Sequence, residues 1–548
     1  MKKRYFKVTL LVILGVVIGL LFYPLISGDN VYQQLEKYKY VFGLAMKEYV
    51  DDVNAGQLTE AAIKGMLNDL DPHSTYLSAK EMKSVNEDMQ GSFEGVGIQF
   101  HVLNDTITVV SPIKGGPSEA LGIISGDKIV EIDGQNAIGL PQDSIPKLLR
   151  GPKGTVVKVA IVRYGEKDLL QFDITRDKIP LYTLDYAYIF DNTDIGVIKI
   201  NRFAHTTHKE LTEAANNLKQ QGMKKLVLDL RGNPGGLLDQ AYMMADEFLS
   251  SDTIVYTKAR REENNEAYVA RSGQSLENIP LIVLIDAGSA SASEIVSGSI
   301  QDNDRGLIVG TNSFGKGLVQ RQLPMSDGSA IRLTIARYYT TSGRCIQRPY
   351  KDKANYRNLF GRLELEEGLN LEHALDKIKK EEANKKNKID LDSIEIFYTK
   401  IGRPVLGGGG ITPDYIIKYD TITQLSRQIR SKNLFNIFIN NELNTKSIKE
   451  KYNNDFDKFN KDFKLNETMF KKLRTLAEAK DIQWNEEQAA IDKEWYETII
   501  KSSLARMIWD NNKEGIVWSK ADRQLNKATE LFTIAEDIRN KRIKKDKR

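Results

Sequence analysis

Short hydrophobic runs recur through the middle of the chain, each flanked by polar or glycine-rich sequence. They lie at residues 195–200, 226–230, 281–285 and 307–309. Runs of this length without strict alternation are typical of strands that are buried on both faces of a sheet. The intervening stretches have helical spacing, at 208–220, 237–249 and roughly 291–301. This alternation of strand and helix predicts a largely parallel sheet covered by helices.

The preceding region, 91–177, has a different pattern of short strands separated by glycine turns. Strand-like segments lie at 107–110, 128–132 and 155–162, and a short helix is expected at 144–149. Strands of this length at close spacing are typical of small β domains. We therefore predict a compact, mostly β module before the α/β region.

Hydrophobic residues recur at helical spacing before the β module and again after about residue 421. One further segment interrupts the α/β region. Residues 350–400 are charged and weakly periodic, which indicates an insertion, and the last segment is rich in Lys, Glu and Asn. The predicted division of the chain is a membrane segment at 1–29, a helical region at 30–90, the β module at 91–177, an α/β core at 178–420 interrupted at 350–400, and a helical extension at 421–548.

The N-terminus carries a targeting signal. Lys2, Lys3, Arg4 and Lys7 precede an uncharged run at 8–26. Nineteen helical residues at 1.5 Å rise come close to the ~30 Å thickness of the hydrocarbon layer. The positive flank belongs inside, so the rest of the chain lies outside the membrane. The alternative is a cleaved signal peptide, but the absence of a clear small-x-small site near residue 27 favours an uncleaved anchor.

Charge and cysteine content exclude several function classes. The 548 residues include 78 basic and 74 acidic residues, a net charge of +4, and this balance does not indicate nucleic-acid binding. A single cysteine, Cys345, leaves no intramolecular disulfide and no zinc site built from cysteines.

The stretch GTNSFGKGLVQ, at 310–320, resembles a phosphate-binding loop without meeting its requirements. That loop needs Ser or Thr after the lysine and a following helix, whereas Gly317 follows Lys316 and the next residues are strand-like. Nucleotide binding is therefore not favoured. Lys316 is either a solvated turn residue or a general base, since burial lowers the pKa of a lysine toward the working pH.

A serine-rich turn supplies a candidate nucleophile. Residues 288–294 follow the hydrophobic run at 281–285 and lead into a helix, so their serines either cap that helix or include a nucleophile. None of the five histidines has a triad-like setting, but a desolvated lysine such as Lys316 can serve as the base in its place. The turn at 229–236 is either an ordinary strand–helix turn or a source of backbone amides for an oxyanion.

Together these stretches resemble the C-terminal processing (tail-specific) serine protease family, and within it the longer, PDZ-containing, Bacteroidetes-like members. The similarity covers roughly 35–350 and 402–418. The stretches that carry it are LDPHSTYL (70–77), GVGI (95–98), SPIKGGPSEALGIISGDKIVEIDG (111–134), LDLRGNPGG (228–236), GSASASEIVSGSIQDNDR (288–305), GTNSFGKGLVQ (310–320) and GGGGITPD (407–414).

The resemblance implies a mostly β PDZ domain inserted ahead of an α/β Ser–Lys peptidase core. Together with the N-terminal membrane anchor, the helical region after it and the helical C-terminal extension that the sequence pattern predicts, the expected fold is a multidomain α/β protein. The insertion at 350–400 and the extension after 420 depart from the family's minimal pattern. The resemblance implies that Ser291 is the nucleophile, Lys316 the general base and Gln320 the residue that orients the lysine. It also implies that the backbone amides of Ala292 and of one glycine of the pair Gly235 and Gly236 form the oxyanion hole. The implied loop that binds a substrate's terminal carboxylate consists of Gly95, Val96, Gly97 and Ile98.

No metal or organic cofactor is implied. The implied partners are proteins with apolar C-terminal tails, and the membrane through the N-terminal helix; a homo-oligomer is compatible with the sequence. The implied location is the cell inner membrane, with the catalytic part on the periplasmic side. The alternative function is a PDZ scaffold or sensor that binds tails without cutting them.

Overall fold

A computed structural model describes residues 30–350, 367–368 and 395–546 of the chain. These residues belong to two compact units, divided after Tyr76, and each unit is considered by itself. The predicted membrane anchor at 1–29 and most of the predicted insertion at 350–400 lie outside the described residues. Within the described ranges, no helix is both long and apolar enough to cross a membrane.

The first unit contains two helices, α1 (Val31–Glu48) and α2 (Ala55–Leu70). Each begins at an asparagine whose side chain accepts a backbone hydrogen bond, as Asn54 does from the amide of Gln57 at 3.1 Å. Such caps satisfy amides that the first turn of a helix leaves without a partner. Strand β1 (Thr75–Leu77) follows α2.

The second unit begins with helix α3 (Ala79–Gln90), which starts at a capping box formed by Ser78 and Glu81. The β module follows directly. Its elements are β2 (Ser92–Gly95), β3 (Ile98–Leu103), β4 (Thr106–Pro112), α4 (Pro117–Ala120), β5 (Lys128–Ile132), β6 (Gln135–Asn136), α5 (Ile145–Leu149), β7 (Val156–Val162), β8 (Leu170–Thr175) and β9 (Asp177–Pro180).

The β module folds as one antiparallel sheet of order β3-β4-β5-β7-β8, with β6 paired to β5. Strands β2 and β9 pair with each other, so the chain enters and leaves the module side by side. A core of aliphatic side chains, Ile107, Val109, Ile129 and Val159 among them, is buried beneath the sheet. The predicted short helix and the strands at 107–110, 128–132 and 155–162 are confirmed.

The α/β core comes next in the chain. Its elements are β10 (Leu184–Ile189), β11 (Ile195–Ile200), α6 (Thr207–Gln220), β12 (Lys225–Asp229), α7 (Leu238–Asp246), β13 (Thr253–Ala259), β14 (Ala267–Val269), β15 (Leu281–Ile285), α8 (Ala292–Asp302), β16 (Leu307–Gly310), β17 (Leu318–Pro324) and β18 (Ala330–Tyr339).

The central sheet has the order β10-β11-β12-β15-β16-β21, where β21 is Tyr415–Ile416. All its pairings are parallel except that of β10 with β11, which confirms the predicted largely parallel sheet. Alternate residues of one strand point to opposite faces, so Leu228 packs under α6 to α8 whereas Val227 faces the other side. Burial of both faces explains why these strands read as continuous hydrophobic runs.

In a second sheet, β13 pairs with β14 and with β18, and β17 pairs with β18. Strand β17 pairs with β18 in an antiparallel register that places Gln322 opposite Arg332. Because β17 pairs with no other strand among the described residues, it is an edge of this sheet.

The remaining elements follow the insertion. They are β19 (Ile396–Tyr398), β20 (Pro404–Leu406), β21 as given above, α9 (Gln424–Ser431), α10 (Leu434–Glu442), α11 (Thr445–Lys451), α12 (Phe456–Asp462), α13 (Glu467–Glu478), α14 (Glu486–Ile491), α15 (Lys493–Ile508), α16 (Asn511–Ser519), α17 (Arg523–Thr529) and α18 (Phe532–Asp546).

The helical extension has two different relations to the rest of the second unit. Helices α9 to α16 contribute to a core of their own that is rich in aromatic side chains. Helices α17 and α18 instead cover the second face of the central sheet, with Leu525, Leu531 and Phe532 against Val227 and Leu284. The last two helices therefore complete the hydrophobic core on which the central sheet depends.

Candidate active site

The serine-rich turn connects β15 to α8 at the carboxyl edge of the central sheet. Ser291 is the N-cap residue of α8 and has φ 55° and ψ −111°. A residue with a side chain adopts positive φ only at a cost of about 1–3 kcal/mol, so its surroundings must hold it there. The turn therefore presents Ser291 in a fixed conformation at the start of a helix.

The three serines of the turn have different surroundings. Ser289 and Ser293 are fully buried. The hydroxyl of Ser289 donates to the carbonyl of Leu230, and that of Ser293 donates to the carbonyl of Asn233, both at 2.9 Å. Ser291 is half-buried and lines a cavity. Of the three, Ser291 is the one that a substrate can reach.

The cavity has a volume of about 950 Å³ and brings together the predicted catalytic residues. Ser291, Lys316 and Gln320 all line it, from the serine turn, the loop after β16 and strand β17. Its other lining residues are Asn86, Asp88, Met89, Arg202, Phe203, Pro234, Gly235, Gly236, Leu237, Leu238, Asp239, Tyr268, Ala292, Ile295, Leu318, Val319, Gln322, Arg332 and Tyr338.

A buried carboxylate joins the two loops that carry Ser291 and Lys316. One carboxylate oxygen of Glu294 accepts the amides of Ser291 and Lys316, both at 2.8 Å. Its other oxygen accepts the hydroxyl of Ser313 at 2.5 Å and the amide of Gly315 at 2.6 Å. Burial raises the pKa of Glu294, although these four donors oppose the shift. Glu294 therefore fixes the backbone of both loops without lining the cavity.

A second bridge between the loops comes from β18. The hydroxyl of Tyr338, a buried side chain, donates to the carbonyl of Lys316 and lies 3.3 Å from the carbonyl of Ser291. The backbone positions of Ser291 and Lys316 are thus tied on the amide side by Glu294 and on the carbonyl side by Tyr338.

The glycine turn after β12 packs against the serine turn. Asn233 is fully buried, and its side-chain oxygen accepts the amide of Gly235 at 2.9 Å. Among the described residues, the amides of Gly236 and Ala292 donate to no acceptor, and both residues line the cavity. Of the predicted glycine pair, Gly236 therefore has the available amide. Two such amides in one cavity form a site suited to an oxyanion.

Gly235 allows the two turns to approach. A Cβ atom at Gly235 would lie 2.7 Å from the carbonyl oxygen of Ala290 and 2.8 Å from the Cβ of Ser291. Its φ of 96° also disfavours any residue with a side chain. The glycine at this position is therefore required by the contact with the serine turn.

An ion-pair network supports the glycine turn from behind. The guanidinium of Arg231 donates to both carboxylate oxygens of Asp229 and to both of Asp522, at 2.6–2.9 Å. Burial opposes ionisation of Asp229, but Arg231 and Lys199 hold its pKa well below the usual range. Asp522 is the N-cap residue of α17, so the C-terminal helices contact the turn that carries Gly236.

The predicted carboxylate-binding loop lies between β2 and β3. Gly95, Val96, Gly97 and Ile98 are all buried, and Gly97 has φ 74°. The amides of Val96 and Gly97 donate to no acceptor among the described residues. Buried amides normally have partners, so this loop has the donors that a ligand carboxylate would satisfy.

Sequence reasoning assigned no role to Glu294, Tyr338, Asn233 or Arg231. A signal existed for Glu294, because Ser291 and Glu294 have the S-x-x-E spacing of a helix start. No local signal identifies the other three, since their contacts join segments that are far apart in the chain.

Comparison with known proteins gives four matched regions. Residues 194–352 match Peptidase family S41, residues 95–175 match a PDZ domain, and residues 26–81 match the N-terminal domain of the activating protease CtpB. Residues 425–510 match a family of unknown function.

Two curated relatives are similar over more than half of the chain. A carboxy-terminal-processing protease of Bartonella bacilliformis is 40% identical over 325 residues, which are 59% of this chain and 74% of the relative. The carboxy-terminal processing protease CtpA of Bacillus subtilis is 36% identical over 323 residues, 59% of this chain and 68% of the relative.

Among solved structures, the PDZ domain of a carboxy-terminal protease from Vibrio cholerae in complex with peptide is 30% identical. The match covers 16% of this chain and 99% of that domain, with a TM-score of 0.16. The 40% identity to the Bartonella protease over 74% of its length establishes the family of this chain. The chain belongs to the PDZ-containing carboxy-terminal-processing serine proteases of Peptidase family S41.

Proposed function

We propose that Ser291 is the nucleophile and Lys316 the general base of an endopeptidase that cleaves proteins with apolar C-terminal tails. The observation that supports this most is one cavity lined by Ser291, Lys316 and Gln320 together with the unpartnered amides of Ala292 and Gly236. A nucleophile, a base and two oxyanion donors are the groups that acyl transfer requires.

The reaction follows from these positions. The neutral amine of Lys316 takes the hydroxyl proton as the oxygen of Ser291 attacks the scissile carbonyl carbon. The C–N bond then breaks, and the lysine ammonium gives the proton to the departing amine. Water attacks the resulting ester in the second half, with Lys316 again as the base, and Ser291 leaves with its proton restored. Gln320 orients the lysine amine from β17.

Charge on the carbonyl oxygen develops only in the tetrahedral states. The amides of Ala292 and Gly236 are fixed by the backbone of α8 and of the glycine turn, so they need no reorganisation when that charge appears. A donor of this kind typically contributes about 2.7–4 kcal/mol to transition-state stabilisation.

Substrate selection is proposed to begin at the PDZ domain. The amides of Val96 and Gly97 would donate hydrogen bonds to a terminal carboxylate, and the substrate's last residues would add as a strand beside β3. Because the loop is surrounded by apolar side chains such as Ile98 and Ile179, an apolar tail fits this site better than a charged one.

We also propose that residues 1–29 anchor the protein in the cell inner membrane, with the catalytic part in the periplasm. The uncharged run at 8–26 after a positive flank supports this arrangement. Mass spectrometry of the N-terminus of membrane-extracted protein tests it, because an intact N-terminus supports the anchor and a new N-terminus near residue 28 supports a cleaved signal peptide. Self-association stays a prediction.

A cleavage assay tests the dyad. A folded reporter protein that ends in an apolar tail is incubated with wild type, Ser291→Ala and Lys316→Ala. We expect cleavage by wild type alone, with tail binding kept by both variants. Ser297→Ala is the matched control, since this serine lies on α8 but donates only to the carbonyl of Ser293. If wild type binds the tail and never cleaves, the protein is a tail-binding scaffold and the proposal fails.

A further inference from the structure

Two arginines line the catalytic cavity in addition to Lys316. Arg202, Lys316 and Arg332 line it, against Asp88 and Asp239. Lys316 already has a role in the proposed chemistry. The two arginines have none, so their surroundings decide whether they hold the fold or face a substrate.

Arg202 is held by the protein itself. One of its terminal nitrogens donates to the carbonyl of Leu181 at 2.8 Å, and the other lies 3.4 Å from the side-chain oxygen of Asn201. These bonds fix the guanidinium against the backbone before β10. Arg202 therefore has a structural explanation.

Within the described ranges, Arg332 has no comparable partner. Its single hydrogen bond among the described residues is to the side-chain oxygen of Gln322, at the long distance of 3.5 Å. No carboxylate of the described chain lies within ion-pair distance of it. Arg332 is half-buried, and this burial lowers its pKa without an acidic neighbour to oppose the shift. A cation removed from water without a counter-charge is unfavourable, and such groups are concentrated at functional sites.

The register of the second sheet places Arg332 relative to the dyad. Gln320 lies opposite Thr334, and Gln322 lies opposite Arg332, so Arg332 is one two-residue step beyond Gln320 along β17. That step is about 6.6–6.8 Å. Both glutamines line the cavity, so Arg332 shares the cavity wall with the residue that orients Lys316.

We propose that Arg332 is a specificity-determining residue that binds a substrate carboxylate within about five residues of the scissile bond. The carboxylate belongs either to an acidic side chain or to the α-carboxylate of a chain that ends near the cut. This inference rests on the proposed endopeptidase function and adds a requirement on the substrate that the PDZ domain does not set.

The test uses the full-length protein and a synthetic peptide whose cleavage site has been mapped by mass spectrometry. Glu or Gln is placed in turn at each of five positions on either side of the cut, with the apolar tail unchanged. A second pair of peptides is truncated three residues after the cut and ends as a free acid or an amide. The first series reports an acidic side chain, and the second reports an α-carboxylate.

At one position we expect the Glu peptide to have a kcat/KM about ten- to a hundredfold higher than the Gln peptide, or the free-acid peptide to exceed the amide by the same factor. This is the size of effect that a charge-assisted hydrogen bond predicts. Arg332→Gln brings that ratio to about one, and Arg332→Lys keeps part of it. Arg321→Gln is the matched control, because Arg321 lies on β17, is exposed and donates to Asn264 at 2.8 Å. It keeps the wild-type ratio.

Cleavage of the uncharged peptides by each Arg332 variant shows that the variant is folded and active. Equal cleavage of charged and uncharged peptides by wild type at every position overturns the inference and leaves the endopeptidase function intact. An undiminished ratio in Arg332→Gln also overturns it. If wild type cleaves none of the peptides or the tailed reporter protein, the proposed function fails and this inference fails with it.

Discussion

The substitution Glu294→Gln tests whether the two catalytic loops depend on one buried carboxylate. The wild-type side chain accepts four donors, two at each oxygen, including the amides of Ser291 and Lys316. A glutamine has the same shape but presents an NH₂ group to one of those pairs. In either orientation, up to two buried donors lose their acceptor.

Each unsatisfied buried donor costs about 1–3 kcal/mol, so the substitution costs about 2–6 kcal/mol, and less where the hydroxyl of Ser313 turns to accept from the amide. If about 2 kcal/mol of this loss is felt in the transition state, kcat falls about thirtyfold. KM changes little, because Glu294 does not line the cavity.

The assay is kcat and KM on the tailed reporter protein, with thermal unfolding followed in parallel. Glu247→Gln is the matched control, since this buried glutamate binds His208 at 2.9 Å and contacts neither loop. It lowers stability without the fall in kcat. A wild-type kcat in Glu294→Gln would refute the claim that Glu294 positions the loops.

The pH dependence gives an independent readout of the same residue. Burial raises the pKa of Glu294, so the folded state holds this proton more tightly than the unfolded chain does. The contribution of Glu294 to stability is therefore present below its unfolded pKa and is lost as the pH rises through its folded pKa. Activity has the opposite sign, because four donors need the ionised form. We expect protonation of Glu294 to lower kcat at a pH above the ordinary carboxyl range. Glu294→Gln lacks this contribution and keeps only the fall in kcat that protonation of the Lys316 base causes.

Four further substitutions are predicted to have separable effects. Gly235→Ala lowers kcat more than about tenfold, because the new Cβ meets the serine turn and the backbone is strained by about 1–3 kcal/mol; cleavage and circular dichroism check this. Tyr338→Phe lowers kcat about fivefold, as expected for about 1 kcal/mol from one hydrogen bond, with normal tail binding in fluorescence anisotropy. Asp522→Asn weakens its pair with Arg231 and lowers the free energy of unfolding by about 1–3 kcal/mol in urea titrations. Gly97→Ala weakens tail binding in the same anisotropy assay while cleavage of tail-free peptides stays unchanged; equal tail affinity would contradict the role given to this loop.

Much of the α/β core could be predicted because its strands are buried on both faces. The run at 281–285 is hydrophobic throughout, and the run at 195–200 is interrupted only by Gly196 and Lys199; the structure has strands with those bounds. Strand β18 was not predicted, although Ile331, Leu333 and Ile335 alternate with polar residues in the manner of a half-buried strand. The signal was present but weaker, because most of β18 is only partly buried.

The helices at the C-terminus show where local sequence is insufficient. Their helical spacing predicts α17 and α18, but not that Leu525 and Phe532 cover the central sheet. The same holds for the site. Ser291, Lys316 and Gln320 could be identified from local sequence motifs. The hydrogen bonds from Glu294 to both loops could not, because they form only when α8 and the loop after β16 pack together. Contacts between distant segments are set by packing rather than by local pattern.

The central claim is that Ser291, Lys316 and two backbone amides act together on one carbonyl group. A crystal structure of the protein with a peptide boronic acid, built on a mapped cleavage site, tests all three parts at once. We expect boron bonded to the Ser291 oxygen and a boronate oxygen on the amides of Ala292 and Gly236. We also expect the Lys316 amine to lie within about 3.2 Å of the serine oxygen. Boron bonded to another residue, or a lysine amine directed away from Ser291, would contradict it.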